Sequence, residues 1–252
     1  MDRKIRIGAV SYLNTKPLIY GLKDRHINNE MELVMDYPAK IAQMLLEDEI
    51  DIGLVPVAII PKLKTHFILT NYCIGCDGAV SSVSIFAEKP IEELTTILLD
   101  YQSRTSVMLA KILVKHYWKL NINWVETNGE DYRNQIKGNV GGLVIGDRAF
   151  QQQKVSPFVY DLGEAWKKHT GLPFVFAAWV SNKEIPVTFI NEFNRTMAFG
   201  LNHLEQIVAD NKRDDVNLME YYTKFIHYHL DDDKRKGLAL FLKLLGEEEL
   251  VG

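Results

Sequence analysis

Two short apolar runs, Ile5–Val10 and Thr96–Leu99, each stop at a polar turn and hand the chain to a helical pattern. That strand–turn–helix design, met near the start and again near the middle, constrains the fold more than any other feature. Apolar, β-prone runs bounded by turn residues read as buried strands. Pro17 has a fixed φ and no N–H, which suits the first turn of a helix, and Asn14 or Thr15 stands where a capping side chain belongs. In the second copy Ser103, Thr105 and Ser106 are the capping candidates, with Val107, Leu109, Ala110, Leu113 and Val114 on the apolar helix face.

The alternation continues around these copies. Strands are expected at 31–35, 50–55, 67–70, 72–76, 80–87, 123–125, 141–145, 158–161 and 174–181. Helices are expected at 17–22, from Pro38 (with Ile41, Ala42, Leu45 and Leu46 on one face), at 58–63, 148–153 and 163–169. From Pro186 onward the pattern is helical, at 186–210, 218–228 and 231–245. Such alternation predicts an α/β protein with parallel sheets. Two series joined by the extended stretches 80–87 and 174–181 predict two lobes with an interlobe cleft. The first lobe is 1–84 plus 181–252, with the helical C-terminal segment, and the second is 85–180.

In open α/β sheets ligands sit at the carboxyl ends of strands. This rule gathers Ser11, Tyr12, Asn14, Thr15, Val55, Pro56, Ser103, Arg104, Thr105, Ser106, Gly146 and Asp147 around the expected cleft. Ser81, Ser82 and Ser84 lie on the first crossover. A helix start, with free N–H groups and the positive end of the dipole, cradles a carboxylate or phosphate. An ordinary capped helix start reads the same way, as does a solvated surface arginine at Arg104.

The chain of 252 residues is long enough to bury a sizeable core, and 47% apolar with 25% charged residues is the make-up of a soluble globular protein. A net charge of −4 with scattered basic residues offers no general attraction to nucleic acid or to an anionic membrane. No apolar run is long enough to span a bilayer, and Met1-Asp-Arg-Lys enters the first strand without the apolar region of a secretory signal. A cytoplasmic location is expected. Cys73-x-x-Cys76 lies in a strand-like segment with no further ligands in register and reads as two half-buried thiols. His227-x-His229, in an aromatic-rich helical pattern, reads as core or surface histidines, so no metal site is expected.

Ser11-Tyr-Leu-Asn-Thr-Lys-Pro-Leu18, Asp51-Ile-Gly-Leu-Val-Pro56, Ser103-Arg-Thr-Ser-Val107, Leu143-Val-Ile-Gly-Asp147, Tyr160-Asp-Leu-Gly-Glu-Ala-Trp166 and Thr170-Gly-Leu-Pro-Phe-Val-Phe176 follow one another in this order. Together they resemble the chorismate dehydratase family of the futalosine route to menaquinone, and Gly237-Leu-Ala-Leu-Phe241 also fits. The resemblance runs from about Ile5 to Asn182. It departs at Ala79-Val-Ser81, where the family often has a Pro-Val-Gly-like run before its serine. It implies a type II periplasmic-binding-protein fold that converts chorismate to 3-[(1-carboxyvinyl)oxy]benzoate, with no metal or organic cofactor. The sister 1,4-dihydroxy-6-naphthoate synthase shares that fold but usually opens with a Ser-Pro-x-x-Asn-Asp-type turn. A binding protein for small anions, without catalysis, remains the rival class, because the fold alone says nothing about chemistry.

On this resemblance the substrate is a dianion, with one carboxylate expected at the Asn14–Thr15 corner and the other at Ser103–Ser106, where Arg104 adds charge. Asn14 is expected to touch the reacting part of the substrate, and Ser82 to steady the leaving hydroxyl or a carboxylate. Asp147 is the candidate general base, with a helix cap or a substrate carboxylate as the alternatives. Oligomeric state is not legible.

Overall fold

The structure, a computed structural model, describes residues 4–22 and 30–249. Met1–Arg3, part of the segment read for a secretory signal, lie outside the described residues. The chain divides into two compact units, Met1–Gly75 with Val175–Asp231, and Cys76–Phe174 with Asp232–Gly252. These bounds differ from the expected 1–84 plus 181–252 and 85–180 at both crossovers and at the C-terminal helix.

The first unit is built on a six-stranded sheet. Its strands are β1 (Ile5–Val10), β2 (Met31–Asp36), β3 (Ile52–Pro56), β4 (Phe67–Cys76), β10 (Phe174–Ser181) and β11 (His227–His229), in the order β11-β4-β10-β3-β1-β2. β1 pairs in parallel with β2 and β3, and β10 pairs antiparallel with β3. The second unit holds β5 (Val83–Ala87), β6 (Thr96–Leu99), β7 (Asn123–Glu126), β8 (Val140–Ile145) and β9 (Phe158–Asp161), in the order β7-β6-β8-β5-β9. There β6 runs parallel to β7 and β8, while β5 is antiparallel to β8 and β9. The sheets are therefore mixed, because the crossover strands enter each one against the parallel series.

Helices cover the sheets: α1 (Lys16–Ile19), α2 (Pro38–Leu46), α3 (Thr105–Leu113), α4 (Asp147–Gln153), α5 (Leu162–Thr170), α6 (Val187–Leu201), α7 (Leu204–Asp210), α8 (Leu218–Glu220) and α9 (Asp232–Glu249). In the first unit Trp179 stacks edge-on against Phe193 of α6. In the second, Trp166, Phe174 and Phe241 meet edge to face, and Phe86, Leu98, Tyr132, Ile136, Val144 and Ala149 form a further cluster. Phe241 lies on α9, so apolar burial ties that helix to the second unit rather than to the first. Gly237 of α9 sits so close to Pro173 that a Cβ would stand 2.0 Å from its carbonyl oxygen.

Several local expectations are corrected. The helix expected at 186–210 breaks at 202–203 into α6 and α7. The helix expected at 218–228 stops at Phe225, and His227–His229 instead pair antiparallel with β4 as an edge strand. Strands 67–70 and 72–76 are one strand, β4. Cys73 and Cys76 form no disulfide and are wholly buried rather than half-buried, on a strand flanked by β11 and β10, and the Cys73 thiol reaches the His227 carbonyl at 3.7 Å.

Candidate functional site

In the first unit the Gly8↔Gly53 register carries Val10–Ser11 level with Val55–Pro56, at the carboxyl ends of adjacent parallel strands. The chain then turns through Leu13–Thr15 as a 3-10 turn before the single turn of α1. The expected capping bond from Asn14 or Thr15 does not form. The Thr15 hydroxyl donates to Asn14 Oδ1 at 3.3 Å, and the turn is closed by Thr15 N–H donating to the Tyr12 carbonyl at 3.1 Å. So short a helix contributes little dipole, and this corner offers the half-buried Asn14 amide instead. Ser11 is exposed, Tyr12 half-buried, and Thr15, Val55 and Pro56 buried, Thr15 and Val55 with no exposed surface.

Tyr228, a residue the sequence did not single out, holds this corner from β11. Its hydroxyl donates to the Asn14 carbonyl at 2.9 Å. Burial and the neighbouring Tyr221 and Tyr222 push its phenol well above the usual value, so it remains a donor. Close packing fixes the other side, where Gly21 and Gly200 let α6 lie against α1 backbone to backbone.

In the second unit Ser82, Ser103 and Gly146–Asp147 come together at one end of the sheet. Val83 faces Ile145, and Gly146 N–H donates to the Ser82 carbonyl at 2.8 Å. Gly146 has φ 65° and ψ −149°, a conformation essentially reserved for glycine. It turns the chain from β8 into α4, whose first residue is the half-buried Asp147. Ser103 is the residue that caps α3: its Oγ accepts from Ser106 N–H at 3.1 Å. Thr105 and Ser106 are buried inside that first turn, and Arg104 is exposed with no capping bond.

Beneath these corners lies a group that sequence reasoning missed. Asp100, 1% exposed, directly follows β6 and accepts from Arg148 at 2.7 and 2.9 Å, from Tyr132 Oη at 2.9 Å and from the Ile145 amide at 3.1 Å. Its carbonyl accepts from Ser103 N–H, and Arg148 also reaches Glu130 at 2.9 Å. One buried ion pair thus fixes both the Ser103 corner and the start of α4. Burial and the Asp100 charge push the Tyr132 phenol far up, so it too remains a donor. An acid directly after an apolar strand was the available signal.

Ser81 has φ 65°, left-handed for a residue with a Cβ. The position where the resemblance expects glycine is therefore one that glycine would occupy without strain. Asp161 accepts from Val80 N–H at 3.0 Å and Ser81 N–H at 2.7 Å, and it caps α5 through Glu164 N–H at 3.0 Å. Burial pushes its carboxyl up, while these amides and that of Gly163 pull the other way. Sequence reasoning took Asp161 only as the end of a strand; the spelling Asp161-x-x-Glu164 was the available signal for the cap, and nothing local signals the bonds across to Val80 and Ser81. No group of three or more His, Cys, Asp or Glu able to hold a metal ion occurs among the described residues, and no described helix is long and apolar enough to cross a membrane.

Comparison with known proteins completes the picture. Residues 5–247 match the model of a family described as menaquinone biosynthesis. A chorismate dehydratase of Thermus thermophilus is 27% identical, over 95% of this chain and 94% of its own. One from Campylobacter jejuni is 26% identical, over 94% and 95%. Among solved structures, a protein of Archaeoglobus fulgidus superposes with a TM-score of 0.77 at 15% identity, over 99% of this chain and 98% of its own. A Candida albicans protein with the generic periplasmic-binding-protein fold does so with 0.63 at 14%, over 98% and 91%. The fold is thus of the periplasmic-binding-protein kind, and the chain belongs to the menaquinone biosynthesis family.

Proposed function

We propose that this chain is a hydro-lyase that dehydrates chorismate to 3-[(1-carboxyvinyl)oxy]benzoate and water, with no cofactor. The observation that carries the reading is the placement of Asn14, Ser82, Ser103 and Asp147 at strand ends of the two sheets, in a chain matched almost end to end by chorismate dehydratases. The reaction removes a ring proton and the hydroxyl, and aromatisation drives it. The protein's task is to orient the ring and to stabilise developing negative charge.

In this reading each unit supplies one carboxylate-holding corner. The second is the start of α3, a nine-residue helix capped by Ser103, whose positive dipole end favours a carboxylate. The first relies on the Asn14 side chain, because α1 is too short to act through its dipole. Ser82 steadies the leaving hydroxyl, and Asp147 or a substrate carboxylate receives the proton. A cytoplasmic location fits a substrate that is a free metabolite.

Purified protein mixed with chorismate is expected to bleach the diene absorbance as a benzoate appears. Asn14→Ala is expected to lower kcat by about 100-fold or more with little change in Tm. Chorismate bound but unchanged would favour the anion-binding class. Inert chorismate alongside conversion of a cyclic futalosine derivative would favour the naphthoate synthase.

A further inference from the structure

We infer that Asp161 is a positioning residue for Ser82, clamping the left-handed Ser81 so that the serine after it enters β5 beside Gly146 and Asp147. The inference rests on the dehydratase reading for what Ser82 does, but its geometry is independent of it. Ser81 is held in a conformation that an L-residue avoids, and such strain persists only where the surroundings over-determine it. Here they do so from three sides. The Asp161 carboxylate takes the Val80 and Ser81 amides, Gln153 Nε2 donates to the Ser81 carbonyl at 2.6 Å, and Gly146 N–H donates to the Ser82 carbonyl at 2.8 Å.

Asp161 ends β9 opposite Ser84 of β5, so the carboxylate reaches the turn from a strand already in register with it. Without the clamp, Ser81 relaxes toward negative φ and swings Ser82 off the start of β5. With glycine at 81 the same path costs nothing, and the clamp becomes dispensable. A plain helix cap behaves otherwise. It would be satisfied by any capping side chain at 161 and would be indifferent to residue 81.

The test is a cycle of Asp161→Ser and Ser81→Gly. Serine keeps the cap to Glu164 but is too short to gather the other amides. Asp161→Ser is expected to lower kcat about tenfold to 100-fold, and to cost no more than about threefold in the Ser81→Gly background, while the Tm lost with the amide acceptors is similar in both. An equal loss in both backgrounds, or no loss, overturns the clamp. Hydrogen exchange at the Val80 and Ser81 amides decides the same point without turnover, since Asp161→Ser should speed it at least tenfold and equal rates would refute the role. Wild-type protein that leaves chorismate unchanged would sink the dehydratase reading alone, and the exchange result would still settle the clamp.

Discussion

Gly200→Ala tests how the Asn14 corner is held. The new methyl would stand 1.9 Å from the Pro17 carbonyl oxygen and 3.0 Å from its carbon, whereas ordinary contact begins near 3.4 Å. The obstacle is backbone, so no side chain can turn aside, and α1 and α6 must part by about 1.5 Å. Overpacking of this kind costs about 1–3 kcal/mol, offset by about 1 kcal/mol of better helix propensity. At about 2–4 °C per kcal/mol, Tm should fall by several degrees. Turnover should suffer more. Pro17 lies three residues after Asn14, and a displacement near 1 Å at a reacting group costs about 100-fold. Thermal unfolding and steady-state kinetics read the two effects. Gly246→Ala on α9 is the control, because a Cβ there meets nothing within 4 Å and helix propensity alone should act. If Gly200→Ala unfolds like that control and turns over at the wild-type rate, the close approach of the two helices does not hold Asn14, and the reasoning is wrong.

Arg148→Met should destabilise the protein by about 3 kcal/mol, because it strands the wholly buried Asp100 carboxylate. The further change Asp100→Asn should recover part of this, and a double variant no better than the single would refute the pairing. Tyr228→Phe removes one donor to the Asn14 carbonyl, so Tm should fall by the equivalent of about 1 kcal/mol while kcat drops several-fold, and unchanged kcat would show that the corner stands without it. Burial alone would raise the Asp51 carboxyl, but Lys183 at 2.8 Å and the Arg6 amide hold it below its usual value. A depressed carboxyl contributes stability above its unfolded value, about 3.9, and loses it as pH falls through the folded value. Tm should therefore drop on acidification below about pH 4, and Lys183→Met should flatten that slope.

Much of the candidate site was legible because it is written locally. Ser103 as the cap of α3, Gly146 before Asp147, and the turn after Val10 all follow from short-range rules about strand ends and helix starts. What failed was whatever depended on a distant partner. Asn14 and Thr15 do not cap, because the chain tightens into a 3-10 turn that Tyr228, far along the sequence, helps to pin. Asp161 was read only as the end of a strand, while it caps α5 and its bonds run to Val80 and Ser81, some 80 residues earlier in the chain.

By itself the sequence determined the alternation of strands and helices, the two strand–turn–helix corners and the family, since periodicity, turn chemistry and ordered motifs are properties of neighbouring residues. Only the tertiary structure decided that the crossover strands run against the parallel series, that α9 packs with the second unit through Phe241, and that Asp100 and Arg148 meet beneath the second corner. Strand direction and buried pairing depend on which surfaces meet in space, and burial rewards those meetings regardless of how far apart the residues lie along the chain.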